Sequence, residues 1–143
     1  MNLDVHTQVQ DMKGFTLVEL MVGILIVAIL ATAAIPIFRG STDAAKWSEG
    51  KAIMGTMATA LRTHVALNGP SSVGTPTLAE LGILPGVLDG AYFTGGESGA
   101  GDFSWVINDD NPLDFLITAT APPGITKPSK ITLNARGRWT ITP

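Results

Sequence analysis

Hydrophobic positions in this chain begin with an unbroken run. From Leu20 to Phe38 there are nineteen residues without a formal charge, and between Phe15 and Phe38 the one ionisable side chain is Glu19. About 20 apolar residues cross a bilayer core of about 30 Å, and a helix there satisfies its own backbone hydrogen bonds. Pro36 is expected to bend or loosen that helix near its far end. Polarity changes at Arg39. Trp47, Met54, Met57, Leu61 and Val65 then recur at spacings of seven, three, four and four, the stripe of an amphipathic helix. Gly50 and Gly55 each weaken such a helix by about 1 kcal/mol relative to alanine. Asn68-Gly69-Pro70 ends it, since glycine accepts a left-handed cap and proline cannot continue the ladder.

Residues 70–101 are rich in Gly, Pro, Ser and Thr and read as surface loop, with one short helical candidate at Thr77 to Leu81. Four β-rich, partly alternating segments follow: Phe103 to Ile107, Leu113 to Thr120, Lys130 to Asn134 and Arg138 to Thr142. They predict an antiparallel sheet whose last two strands turn at Ala135-Arg136-Gly137, placing Ile131, Leu133, Trp139 and Ile141 as candidates for the face on the helix. The predicted class is α+β, with a long N-terminal helix, half transmembrane and half amphipathic, on a small C-terminal antiparallel sheet. The expected divisions are residues 1–14, a membrane helix 15–38, and a head 39–143 made of helix 39–67, loop 68–102 and sheet 103–143.

Composition narrows the function. A chain of 143 residues with this apolar run leaves roughly a hundred for a soluble core, so the head is small. Nine Lys plus Arg against twelve Asp plus Glu give a net charge of −3, without the basic excess of a nucleic-acid binder. There are no cysteines, which removes disulfides and thiolate metal sites and leaves the head to packing alone.

The N-terminus does not read as an ordinary secretory signal, because the small residue Gly14 precedes the apolar stretch instead of following it. A cut at Gly14 would keep the helix in the product. A plain anchor with a short tail fits the spacing too, but leaves Glu19 unexplained, and a charge at mid-membrane costs at least about 2.5 kcal/mol.

Lys13-Gly14-Phe15-Thr16-Leu17-Val18-Glu19-Leu20, followed by the run to Ile35-Pro36, strongly resembles the N-terminus of type IV pilins and type II secretion pseudopilins. In that family a prepilin peptidase cuts after the glycine and methylates the new terminal amine. The resemblance therefore implies cleavage between Gly14 and Phe15, modification of Phe15, and assembly through Phe15, Glu19 (fifth from Phe15) and Pro36 (twenty-second). It also implies, as partners, identical subunits, the peptidase and methyltransferase, an assembly platform, and inner-membrane lipid before assembly. The precursor would be a single-pass bacterial inner-membrane protein and the product a filament at the cell surface; a secretion pseudopilin is the alternative. Two features depart from the family. The leader has Lys13 against Asp4 and Asp11, so the positive-inside signal is weak, and the usual mid-helix glycine is absent from Val27 to Ala34.

Cleavage would create an ammonium on Phe15, one helical turn from Glu19. Each buried charge needs the other, and pairing between chains would fix the axial register of packed helices. In the head, Asn108, Asp109, Asp110, Asn111 and Asp114 offer hard oxygen ligands and form a candidate calcium site, with a simple turn as the alternative. No other cofactor is expected. Gly95 to Gly101 lacks the Lys-Ser/Thr and the strand-to-helix setting of a phosphate loop. His6 and His64 have no catalytic company, so the chain does not read as an enzyme.

Overall fold

The computed structural model describes residues 14–96 and 101–143; most of the expected leader and residues 97–100 of the glycine-rich run lie outside them. The elements are α1 (Leu17–Asn68), a 3-10 turn (Gly69–Ser72), and strands β1 (Phe103–Asp110), β2 (Leu113–Thr120), β3 (Lys130–Asn134) and β4 (Trp139–Thr142). The chain divides into two compact units, Met1–Phe38 and Arg39–Pro143.

In the first unit α1 runs through Pro36 without interruption. Proline withholds one N–H from the Thr32 carbonyl, but it is flanked by residues that propagate the helix on either side. The Thr32 hydroxyl donates back to the Ile29 carbonyl at 2.7 Å, so its polar group is satisfied inside the apolar run.

In the second unit the amphipathic stripe forms the core. Trp47, Met54, Met57, Leu61 and Val65 are all buried, against the inward residues of a four-stranded antiparallel sheet ordered β1-β2-β3-β4. Alternation supplies those inward residues: Phe103, Trp105 and Ile107 from β1; Phe115, Ile117 and Ala119 from β2; Ile131 and Leu133 from β3. Phe93 joins helix to sheet, its ring centroid 5.0 Å from Trp47 and 5.5 Å from Phe103. Gly50 makes that possible, since a Cβ there would come within 2.9 Å of Phe93 Cζ. The glycine that weakens the helix in sequence terms thus lets an aromatic ring lie on the helix backbone.

The last strand departs from expectation. Trp139 pairs with Leu133 and Ile141 with Ile131, so both share the core-facing side of the sheet, yet they are 40% and 57% exposed. A helix about 10 Å across covers two to three strands spaced about 4.8 Å apart, and β4 is the outermost strand beyond that cover. Ladder bonds hold the strand, reinforced by Ser129, whose hydroxyl donates to the Thr142 and Pro143 carbonyls at 3.2 and 2.8 Å.

Carboxylates tie loops into place. Asp43 accepts the Thr126 hydroxyl at 2.6 Å and the N–H groups of Thr126 and Lys127 at 3.0 and 3.2 Å. Glu49 accepts the N–H groups of Ala91, Tyr92 and Phe93 at 3.1, 2.9 and 3.0 Å. The candidate at Thr77 to Leu81 is a single turn rather than a helix. Thr77 and Glu80 close a capping box at its start, and its end is closed by N–H bonds from Ile83 to the Leu78 carbonyl and from Gly82, at φ +71°, to Ala79.

Candidate functional site: the start of the apolar helix

Thr16 is the cap of α1. The Glu19 N–H donates to the Thr16 hydroxyl at 3.2 Å and the Leu20 N–H to the Thr16 carbonyl at 3.1 Å. Leu17 is therefore the first helical residue and Glu19 the third, the position of the acid in a capping box. A carboxylate in the first turn also faces the partial positive charge of the helix start. Phe15, just outside the cap, and Leu20, at the fourth helical position, have the spacing of a hydrophobic staple. The role of Thr16 was legible as Thr-x-x-Glu ahead of an apolar run, a signal that the charge of Glu19 overshadows.

Beyond this cap the apolar run of α1 is largely exposed. Phe15, Leu17, Val18, Leu20 and Met21 are more than half exposed, and so are Ile37 and Phe38 at the other end of the run. The helix is long and apolar enough to cross a membrane, and none of its most apolar window is buried among the described residues. Such a surface requires lipid or other helices around it. Lipid tails are as apolar as leucine, so moving it from bilayer to a bundle gains little hydrophobic energy; packing and buried charge would decide the arrangement. Phe15 and Glu19 border one shallow surface groove together with Leu20, Gly23, Ile24 and Val27, which places Phe15 and the acid on the same side of the helix. Pro36 lies about five turns further along and joins no polar group of the site.

Several carboxylates of the head are engaged in hydrogen bonds within it. The hydrogen bonds hold the carboxyl pKa values of Asp43, Glu49 and Glu80 below the ordinary range, led by the Thr126 hydroxyl for Asp43, the Phe93 N–H for Glu49 and the Thr77 N–H for Glu80. The candidate calcium residues act as turn partners. Asp109 Oδ1 accepts the Asn111 N–H at 3.1 Å, and Asp114 Oδ2 accepts from Asn108 Nδ2 at 3.0 Å. Asp110 pairs across the hairpin with Leu113, beside a register shift between Ile107 and Asp109. Among the described residues no three acidic, His or Cys side chains are grouped to hold a metal ion. His64 Nδ1 lies 3.2 Å from the Glu80 carbonyl, a packing contact of the loop on the helix. No buried side-chain N or O atom among the described residues lacks a hydrogen-bond partner, so none is held in reserve for a ligand.

The family model for the prokaryotic N-terminal methylation motif matches residues 10–35. No solved structure matches the chain. The match spans the Gly14-Phe15 junction, the Thr16 cap, Glu19 and nearly the whole apolar run. The chain thus carries the prokaryotic N-terminal methylation motif on an α+β, pilin-like fold, consistent with the type IV pilin and pseudopilin family.

Proposed function

We propose that the chain is the precursor of a structural filament subunit of the type IV pilus kind. It waits in the inner membrane as a single-pass protein, is cut between Gly14 and Phe15, is methylated on Phe15, and polymerises through its apolar helix. The peptidase, the methyltransferase and an assembly platform act on it in turn, and the finished filament stands at the cell surface. The observation that carries this reading is a capped, acid-bearing helix start leading into an apolar helix surface that is not buried among the described residues.

The chemistry follows from the order of events. Before cleavage the Phe15 nitrogen is a peptide N–H and carries no charge to pair with Glu19. Hydrolysis of the Gly14-Phe15 peptide bond frees a carboxylate on the leader and an amine on Phe15, which gains a proton at neutral pH. That ammonium lies one turn from its own Glu19 and can reach Glu19 of a neighbour. An unpaired ion in an apolar bundle is costly, so subunits settle where the ions meet, and the helices take one axial register.

Glu19→Ala tests the reading: the variant inserts and is cut, but forms few filaments, whereas normal filaments from it would defeat the proposal. A pseudopilin would share every residue of this motif; sheared surface fibres that contain the protein, seen by negative-stain microscopy, assign it to a pilus.

A further inference from the structure

Beyond α1 the second unit carries its charge in two separate blocks. Between Arg62 and Lys127 there is no Lys or Arg, and after Asp114 there is no Asp or Glu. The acidic block supplies Glu80, Asp89 and Asp102 from loops joined to β1 or leading into it, and Asp109 and Asp110 from the end of β1. The basic block supplies Lys127, Lys130, Arg136 and Arg138 around β3 and β4. β1 and β4 are the two outer strands of the sheet, three strand spacings or about 14 Å apart, and β1 is bridged on its outer side by Gly74 at Ile107. The acidic and basic sides of one head cannot meet each other, whereas those of two heads can.

The basic edge is also apolar. Trp139 and Ile141 are exposed there, and between α1 and β4 lies an open groove of about 450 Å³. Trp47, Ile131, Ile141 and Pro143 line the groove, with Lys51 and Lys127 on its rim. An exposed tryptophan and isoleucine flanked by cations combine the apolar centre and charged border of a protein interface. An outer strand with a free ladder and apolar side chains is itself a surface that proteins normally cover.

We propose that the β4 edge of one head, with this groove, docks the acidic β1 side of the head of a second copy of this chain. The contact joins two different surfaces, so it repeats without closing and builds an open array with a direction. It rests on the reading of the chain as a polymer subunit and adds to it a contact between heads, distinct from the one between apolar helices.

The full-length chain, expressed in cells that polymerise it, provides the test. Because the protein has no cysteine, Asn111→Cys and Thr140→Cys can be combined and treated with a short bis-maleimide. A ladder of dimers, trimers and longer species from the double variant, with monomer from each single variant, supports the docking. Dimers from Thr140→Cys alone, or monomer alone from the double variant in fractions that contain polymer, overturn it. Charge exchange is the second arm. Arg136→Glu with Arg138→Glu lowers polymer yield about tenfold or more, Asp109→Lys with Asp110→Lys does the same, and the four together recover it. If the acidic-side variant assembles as the parent does while the basic-side variant fails, the basic edge serves another partner, such as anionic lipid headgroups, and the proposal falls. Polymer without the ladder defeats this contact alone, whereas a parent chain that never polymerises defeats the subunit reading as well.

Discussion

The Glu19 N–H donates to the Thr16 hydroxyl at 3.2 Å, so the residue that brings the one charge into the apolar run is also the third residue of a capped helix. Two roles therefore meet at Glu19, and glutamine separates them. A capping box accepts Glu or Gln at this position, because either side chain can reach back to the cap. An ion pair requires the charge. Glu19→Gln is expected to insert and be processed normally, yet to lose filament yield as severely as Glu19→Ala. Wild-type yield from the glutamine variant, measured in sheared surface fractions, would assign Glu19 to the cap alone.

Thr16 itself should act locally. Thr16→Ala removes the acceptor for the Glu19 N–H and costs about 1 kcal/mol of helix stability at the start of α1, while Thr16→Ser retains the hydroxyl. Hydrogen exchange of the first-turn amides in detergent should quicken about fivefold in the alanine variant and stay near the parent rate in the serine variant. Equal exchange in all three would show that the cap does not hold the turn.

The two glycines of the amphipathic segment should respond oppositely to alanine. At Gly50 a new Cβ meets the Phe93 ring, which is itself packed between Trp47 and Phe103, so Gly50→Ala should destabilise the head by about 1–3 kcal/mol. At Gly55 nothing lies within 4 Å, and Gly55→Ala should stabilise by up to about 1 kcal/mol. Thermal denaturation followed by tryptophan fluorescence distinguishes them, and a stabilised Gly50→Ala would contradict the packing described.

Asp43 and Glu49 predict acid sensitivity. Both are held below their ordinary values of 3.8 and 4.5, Asp43 chiefly by the Thr126 hydroxyl and Glu49 chiefly by the Phe93 N–H. A depressed carboxyl contributes stability that is fully present above its unfolded value and is lost as pH falls through the folded one. The melting temperature of the head in the full chain should therefore hold from neutral to about pH 5, then drop across and below that range. Asp43→Asn combined with Glu49→Gln should lower the neutral-pH value and flatten the acid limb. An unchanged acid limb would show that these loops are held by other means.

Trp47 and Trp139 test the limits of the core. Trp47 is buried and donates Nε1–H to the Pro128 carbonyl at 3.1 Å, so Trp47→Ala should cost about 3–5 kcal/mol. Trp139 lies past the cover of the helix, and Trp139→Ala should cost the isolated subunit less than about 1 kcal/mol. Comparable losses of melting temperature would mean that β4 belongs to the core after all.

These contrasts mark what could be read from residues alone. The stripe from Trp47 to Val65 and the alternation in β1 to β3 are periodic, and period reports which face is apolar. It does not report whether anything covers that face, so Trp139 and Ile141 looked like core although the helix stops short of them. Asp43 and Glu49 were illegible for another reason. Each captures backbone groups 42 to 84 positions away, and no local spacing announces such a bond. Gly50 appeared as a weak point because its partner, Phe93, sits in a loop with no pattern of its own. At the N-terminus the situation reverses: Gly14, Phe15, Thr16 and Glu19 are neighbours in sequence, so almost the whole candidate site is local and open to reading. The two charge blocks of the head are likewise visible in the order of residues, but their meaning depends on β1 and β4 being the two outer strands of the sheet, which requires the topology.

Intact mass spectrometry of the protein recovered from the cell envelope tests the central claim most directly. A product that begins at Phe15 and carries one added methyl group is the predicted result. Retention of residues 1–14 in the mature protein would contradict the account, leaving Glu19 without its ammonium and the helix as a plain anchor.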